Sequence, residues 1–140
     1  MQKIVVAYDG SEPSQRALER AADLAENGSS VTVVSAVHNV YGKGGVAHDP
    51  IEEEDHRRHL REARSRLAEL GIEAHGVEGF GDPAKVIAEQ AKGMNADLIV
   101  VGSHGKNLLE RLLLGSVSTD VEHRVPPPPG AVLRPGRHRP

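Results

Sequence analysis

Short apolar runs alternate with amphipathic stretches along most of the chain. The runs are rich in β-branched residues and lie at Lys3–Tyr8, Val31–Val37 and Leu98–Val101, with a weaker one at Ile72–Glu78. Continuous apolar runs of this length are typical of strands that are buried on both faces of a sheet. The pattern therefore predicts a buried strand at each of these positions.

Helical periodicity fills the intervals between the predicted strands. Ser11 supplies a capping hydroxyl for a first helix that Gly28 ends, and Asp49-Pro50 begins a second helix. Asp82-Pro83 begins a third, and Ser116–Arg124 has the pattern of a last helix. Because the strands alternate with helices, the chain is expected to form right-handed crossovers and a mainly parallel sheet.

Two intervals show neither period and are predicted to be loops. Residues 38–50 are glycine-rich, and a loop of this length inside a compact domain is often functional. Residues 102–115 are expected to form a second loop that contains one apolar turn, Leu108–Leu114.

Composition narrows the class of protein. The chain has 140 residues, of which 38% are hydrophobic, so it is long enough for a single domain with its own core. Its net charge is −3 and only 2% of its residues are aromatic, which disfavours a nucleic-acid binder that uses a basic face or base stacking. The absence of cysteine excludes disulfides, thiolate metal sites and a cysteine nucleophile. The sequence shows no apolar run of roughly 18 residues and no signal-peptide pattern, so we expect a cytoplasmic protein.

Two loops are candidates for a ligand site, because open α/β sheets bind ligands at the carboxyl ends of their strands. The first is Asp9-Gly10-Ser11, directly after the first strand. The second begins with Gly102-Ser103-His104-Gly105 after a buried strand and ends with Gly115-Ser116 at the predicted start of a helix. Glycines let backbone N–H groups approach a phosphate closely, and a helix N-terminus attracts an anion. The arrangement predicts a phosphate-binding site.

The same residues carry a resemblance to a known family. The chain contains the segments IVVAYDGSEPS, GDPAKVI, ADLIVVGSHG and GSVS, and the spacing G-x2-G-x9-G-[ST] formed by Gly102, Gly105, Gly115 and Ser116. In these features, over roughly residues 2–125, it resembles the universal stress protein family, in its ATP-binding subclass. The resemblance implies a single-domain, Rossmann-like α/β fold with an open parallel sheet in the order 3-2-1-4-5 and helices on both faces. It also implies a cytoplasmic protein that is usually a homodimer.

The resemblance further implies binding roles for particular residues. Asp9, at the end of the first strand, would lie near the ribose, the phosphates or a Mg²⁺ ion, and Val37 would contact adenine through its backbone. The other implied nucleotide-binding positions lie in the two loops: Gly10, Ser11, Gly102, His104, Gly105, Gly115, Ser116 and Val117. ATP and Mg²⁺ are therefore the expected ligands. Asp9 also has a second interpretation, since Asp-Gly-Ser after a strand is ordinary turn and helix-cap chemistry.

Other motifs are weaker candidates. Gly79–Ala84 has the spacing of a dinucleotide fingerprint, but Asp82 would place a carboxylate against the pyrophosphate, so helix capping is the preferred interpretation. Lys106 follows a glycine and could approach a phosphate, although the surrounding residues do not form a Walker loop. His56 and His59 have no evident third metal ligand, and we interpret them as solvated surface residues.

The leading functional hypothesis is an ATP-binding regulator of the stress response with at most slow ATP hydrolysis. The sequence offers no evident general base or arginine finger for a γ-phosphate, so no catalytic residue is assigned. The alternative is an interaction module of the same fold that binds no nucleotide. A phosphoacceptor receiver is disfavoured, because the first strand ends in the lone Asp9 rather than in an acidic cluster. The expected partners are an adenine nucleotide and a second copy of the chain, with no nucleic acid and no membrane.

The C-terminal segment departs from the family pattern. We expect residues 1–125 to form the nucleotide-binding domain and residues 126–140 an atypical, proline-rich segment. The prolines at Pro126–Pro129 lack backbone donors, and Ala131–Leu133 is the only apolar run that remains for a fifth strand. We therefore expect this strand to be short or absent, and a dimer that pairs through it to be weakened.

Overall fold

The computed structural model describes residues 2–37, 39–42, 45–48, 50–102, 106–114, 119–125 and 130–135. The strands are β1 (Lys3–Ala7), β2 (Ser30–Val37), β3 (Asn39–Gly42), β4 (Gly45–His48), β5 (Ala74–Phe80), β6 (Leu98–Val101), β7 (Thr119–Val125) and β8 (Gly130–Pro135). The helices are α1 (Glu12–Leu24), α2 (Pro50–Glu69), α3 (Pro83–Gly93) and α4 (Lys106–Leu114). None of the helices in these residues combines the length and the hydropathy that a membrane crossing requires.

The main sheet has the strand order β5-β2-β1-β6-β8-β7 within the described part of the chain. The pairs β5–β2, β2–β1 and β1–β6 are parallel, whereas β8 runs antiparallel to β6 and β7 runs antiparallel to β8. Numbered along the chain without β7 and the separate hairpin β3–β4, the strands have the order 3-2-1-4-5. This order confirms the prediction of an open, mostly parallel sheet.

Helices cover both faces of this sheet, as expected, because alternate residues of the central strands point to opposite sides. One face packs Ile4, Val6, Val31, Val33 and Val100 against apolar residues of α1 and α2 such as Leu18, Leu60 and Leu67. The other face packs Val5, Ala7, Val34, Ile99 and Val101 against residues of α3 and α4 such as Val86, Ile87 and Leu109. The strands are therefore buried on both faces, which explains their continuous apolar sequence.

The short fifth strand is present. It is β8, and the residues that pair with β6 are Ala131, Val132 and Leu133, which lie opposite Val101, Val100 and Ile99. These are the apolar residues that the sequence left available, and all of them are fully buried. The direction of this strand differs from the parallel direction that the sequence predicted, because β8 runs antiparallel to β6. In the chain β8 follows the strand β7, where the sequence predicted a helix.

The last predicted helix is wrong. The sequence pattern favoured a helix over Ser116–Arg124, but residues 119–125 form β7, which pairs with β8 from Thr119 to Val125 with a register shift between Val121 and His123. Thr119, Val121 and Val125 are β-branched residues that favour a strand, and the prolines after Val125 cannot extend a helix. Pairing with β8 then satisfies the backbone groups of β7 that face into the sheet.

Three smaller expectations also need correction. Residues 38–50 contain the antiparallel hairpin β3–β4 rather than an unstructured loop, with Tyr41 opposite Val46. The sequence did not predict it, because the glycines in this segment interrupt the alternation of its β-favouring residues. The apolar turn expected at Leu108–Leu114 is the helix α4, which begins at Lys106. α1 ends at Leu24 rather than at Gly28, which has a φ of +81° in the turn that follows.

Candidate functional site

A cavity of about 370 Å³ lies at the carboxyl ends of β1 and β2. One wall is apolar and comes from the sheet, α3 and α4, with the residues Ala7, Val34, Ala36, Pro83, Ile87 and Leu108. The other wall is polar and comes from the end of β1 and from α2, with the residues Tyr8, Asp9, Glu52, Asp55, His56 and His59. A concave site with one apolar wall and a few convergent polar groups is typical of small-molecule binding sites.

The turn Asp9-Gly10-Ser11 connects the cavity, which Asp9 lines, to α1, of which Ser11 is the N-cap. Ser11 donates its backbone N–H to Oδ1 of Asp9 at 2.9 Å, and its own Oγ accepts the N–H of Ser14 at 3.3 Å. Asp9 is exposed and lines the cavity. The turn-and-cap interpretation of this segment is therefore correct, and it leaves Asp9 at the cavity because one carboxylate can hold the turn and still face a ligand.

Gly10 allows a side chain of α2 to approach this turn. A Cβ at Gly10 would lie 2.8 Å from Nε2 of His59, closer than real Cβ atoms come to such atoms. Gly10 also has a φ of +84°, a conformation that disfavours L side chains. The sequence motif, the backbone conformation and the packing against His59 therefore all favour glycine at position 10.

The interpretation of His56 and His59 as solvated surface residues is wrong. Together with Glu52 and Asp55 they occupy one face of α2, and that face lines the cavity. The spacing i, i+3, i+4, i+7 continues the buried face of the helix, which is apolar farther along at Leu60. Extending the apolar stripe backward by whole helical turns is the sequence signal that could have located these residues.

The two imidazoles are held by specific contacts. Nδ1 of His56 is hydrogen-bonded to the hydroxyl of Ser35, and its Nε2 lies 3.5 Å from Oε1 of Glu52. The ring of His59 packs edge-on against Tyr8, with 6.5 Å between ring centroids, and against His56 at 6.2 Å. Nδ1 of His59 is buried and has no hydrogen-bond partner among the described residues.

The surroundings of Tyr8, on the polar wall of the cavity, change the pKa of its hydroxyl. Burial raises the pKa of the Tyr8 hydroxyl, and the negative charges of Glu62 and Asp9 raise it further. Tyr8 therefore remains a neutral hydrogen-bonding group at neutral pH. Among the described residues, no cluster of three or more His, Asp or Glu side chains has a geometry that could hold a metal ion by itself.

Of the other predicted binding residues, the structure describes Gly102 and Val37. Gly102 follows β6, where a Cβ would lie 2.3 Å from the carbonyl oxygen of Pro13, so glycine is required for α1 to pack against the end of β6. Val37 is buried at the end of β2, and its carbonyl accepts the N–H of Gly81 at 2.8 Å. The remaining ones lie outside the described residues: His104, Gly105, Gly115, Ser116 and Val117.

The fingerprint-like segment Gly79–Ala84 serves helix capping, as the sequence favoured. Asp82 is the N-cap of α3 and accepts the N–H of Lys85 at 3.4 Å, with Pro83 in the first turn. Its carboxylate also forms an ion pair with the guanidinium of Arg111 on α4. This segment therefore fixes the helices that carry the apolar wall of the cavity.

These features define an open α/β protein whose crevice lies at the carboxyl ends of its central strands, the usual location of a ligand site in such sheets. Residues 1–128 match the model of the Universal stress protein family. The chain is 34% identical over 133 residues to universal stress protein YxiE of Bacillus subtilis (strain 168), a match that covers 85% of this chain and 90% of that protein. The chain therefore belongs to the universal stress protein family.

Solved structures agree with this assignment. A universal stress protein crystallised in complex with cAMP has 30% sequence identity and a TM-score of 0.63, over 82% of this chain and 85% of that one. The universal stress protein from Archaeoglobus fulgidus in complex with dAMP has 25% identity and a TM-score of 0.69, over 81% of this chain and 90% of that one. Both of these related proteins thus hold an adenine nucleotide.

Proposed function

We propose that this protein is a cytoplasmic regulator of the stress response that binds an adenine nucleotide, with ATP as the expected ligand. The observation that carries the proposal is the cavity at the carboxyl ends of β1 and β2, with the Asp9-Gly10-Ser11 turn at its edge. Its apolar wall suits a nucleobase, and its polar wall can hydrogen-bond a sugar. The complexes of related proteins with cAMP and dAMP support the same ligand class.

The residues proposed to bind the nucleotide are those of the two loops and the end of β2. Asp9, Gly10 and Ser11 would act from the edge of the cavity, and Val37 through its backbone. Gly102 and the positions beyond it, His104, Gly105, Gly115, Ser116 and Val117, would hold the ribose and phosphates. These roles rest on the sequence motif.

A Mg²⁺ ion fits this site only in company with a nucleotide. Mg²⁺ is usually held by one or two carboxylates together with phosphate oxygens and water. Asp9 offers one such carboxylate at the cavity, of which Oδ1 already accepts the N–H of Ser11. We therefore propose that Asp9 would contact a Mg²⁺ ion carried by the phosphates.

We further propose that ATP hydrolysis is at most slow. The described residues that line the cavity include no arginine and no lysine that could stabilise a transferring phosphoryl group. The nucleotide would then act as a switch or as a structural ligand rather than as a substrate.

Mass spectrometry of the purified, denatured protein tests the proposal directly. We expect it to release an adenine nucleotide, and calorimetry on the stripped protein to show ATP binding that Gly115→Val abolishes, because a side chain there blocks close approach of a phosphate. A stripped protein that binds neither ATP nor AMP would instead be an interaction module that uses no nucleotide.

A further inference from the structure

Contacts at both ring nitrogens hold the imidazole of His56 in the wall of the cavity. Nδ1 is hydrogen-bonded to the hydroxyl of Ser35, which is fully buried on β2. Nε2 lies 3.5 Å from Oε1 of Glu52, one helical turn earlier in α2. The ring is therefore anchored both to the sheet and to its own helix, and only 14% of the side chain is exposed.

A second imidazole, that of His59, limits the movement of the His56 ring. The two rings pack edge-on, with 6.2 Å between their centroids. His59 is itself enclosed, because Tyr8 packs edge-on against it at 6.5 Å and a Cβ at Gly10 would lie only 2.8 Å from its Nε2. Protein contacts thus set the orientation of the His56 ring before any ligand binds, and such preorganisation lowers the cost of binding.

The groups around His56 leave the face and the carbon edge of its ring for contact with a ligand. A hydroxyl can donate or accept a hydrogen bond, so the bond between Ser35 and Nδ1 forms whichever nitrogen carries the proton. A general base or a metal ligand needs a nitrogen directed at the reacting group or the ion, whereas both nitrogens of His56 already face protein atoms. Ser35 does not line the cavity, so it is an anchor for the ring and not a nucleophile.

The charges and the opposite wall of the cavity determine which part of a nucleotide can lie against this ring. Glu52 and Asp55 line the cavity beside His56, and negative charges there repel a phosphate. The opposite wall consists of aliphatic side chains such as Val34 and Ile87, which suit a flat, largely apolar ring. The space between His56 and this wall therefore favours the base over the phosphates.

We propose that the face of the His56 imidazole packs against the base of the bound nucleotide. This inference rests on the proposed function, since it assigns the base of that nucleotide to a particular side chain. Bases stack on the rings of aromatic side chains, histidine included, and loss of one such contact weakens binding by about 5- to 150-fold. His56 would thus contribute a ring face to binding, with Ser35 as the residue that positions it.

Nuclear magnetic resonance of the full chain with isotope-labelled histidine tests this contact directly. With AMP bound, we expect nuclear Overhauser effects between the C–H protons of adenine and the ring C–H protons of His56, because such effects arise only between protons in close contact. The resonances of His56 are identified by their absence from the His56→Phe variant. His75, which is exposed on β5 and does not line the cavity, should show no such effect.

Calorimetry with AMP separates the ring contact from the bond to Ser35. His56→Ala removes the ring, and we expect it to bind AMP at least about fivefold more weakly than the wild-type protein does. His56→Phe keeps an aromatic face but cannot bond Ser35, so we expect it to bind AMP more tightly than His56→Ala does. His75→Ala is the matched control and should bind AMP as the wild-type protein does.

The outcomes distinguish this inference from the proposed function. An AMP complex without nuclear Overhauser effects between adenine and His56 would overturn the inference and leave the proposed function standing. The same holds if His56→Ala binds AMP as the wild-type protein does, or if His56→Phe binds it no better than His56→Ala. Failure of the wild-type protein to bind AMP or ATP would overturn both.

Discussion

At the scale of single residues, glycine decides how closely the parts around the cavity approach one another. A Cβ at Gly102 would meet the backbone of Pro13, and one at Gly10 would meet the ring of His59. Both glycines are therefore required by packing, independently of any ligand. A sequence motif for nucleotide binding and a requirement of the fold coincide at these positions, so loss of binding in a glycine variant needs a stability measurement beside it.

The contact between Gly10 and His59 predicts the stability of alanine variants. Gly10, Gly28 and Gly71 all have φ between +81° and +84°, but a Cβ meets nothing within 4 Å at Gly28 or Gly71. We expect Gly28→Ala and Gly71→Ala each to lower the free energy of unfolding by about 1–2 kcal/mol, the cost of the left-handed conformation. Gly10→Ala should cost more, because the collision with the imidazole is added.

Removing the imidazole should remove the additional cost. In the His59→Ala background we expect Gly10→Ala to cost no more than Gly28→Ala does, as measured by chemical denaturation of the single and double variants. If Gly10→Ala costs the same with and without His59, the ring does not lie against this turn.

Asp9 is the residue at which the proposed role of Mg²⁺ can be tested. ATP carries several negative charges, and Asp9 would repel them unless a cation lies between. We expect Asp9→Ala to weaken the dependence of ATP affinity on Mg²⁺, measured by calorimetry at several Mg²⁺ concentrations. Asp23→Ala, which removes an exposed carboxylate from α1, is the control and should leave that dependence unchanged. An unchanged Mg²⁺ dependence in Asp9→Ala would remove Asp9 from the metal site.

At the scale of elements, the sequence predicted best those helices and strands whose conformation depends on their own residues rather than on pairing with a distant segment. β1, β2 and β6 are continuous apolar runs, and α3 begins at the expected cap of Asp82 and Pro83, because burial on two faces and capping are local requirements. β7 could not be predicted in the same way, since its strand conformation depends on pairing with β8. The polar face of α2 was missed for a related reason: charged residues indicate solvent exposure unless a cavity lies beneath them.

The packing of α3 on β5 yields a prediction at this scale. A Cβ at Gly79 would lie 2.3 Å from Cγ1 of Val86, so Gly79→Ala should push α3 away from the sheet. We expect a loss of about 1–3 kcal/mol in the free energy of unfolding, as for other overpacked cores, and weaker nucleotide binding because α3 carries part of the apolar wall. Chemical denaturation and calorimetry measure the two effects.

Two further variants isolate the cause. Val86→Ala removes the colliding methyl groups, so we expect it to recover part of the loss when it is combined with Gly79→Ala. Gly76→Ala lies on the same strand but faces the flexible side chain of Arg64 at 3.3 Å, and it should cost less. Equal costs for the alanine variants at positions 76 and 79 would contradict this explanation.

At the scale of the whole molecule, the resemblance to a family predicted the order of the strands but not the direction of the last ones. The apolar run Ala131–Leu133 occupies the expected place beside β6, since burial of those side chains requires a neighbouring strand. Its antiparallel direction follows from β7, which precedes β8 where a helix was expected.

The position of β8 predicts the oligomeric state. A dimer that pairs through the fifth strand needs a free edge on that strand, but β8 has β6 on one side and β7 on the other. The backbone groups that a partner strand would bind are already used within one chain. We therefore expect sedimentation at micromolar concentration to give the mass of a single chain. A tight dimer would contradict this expectation, and disulfide cross-linking of paired cysteine variants at residues 130–135 would show whether β8 of one copy joins β8 of the other. Because the Asp9-Gly10-Ser11 turn and the walls of the cavity lie on β1, β2 and the helices beside them, the monomer should bind the nucleotide without a partner.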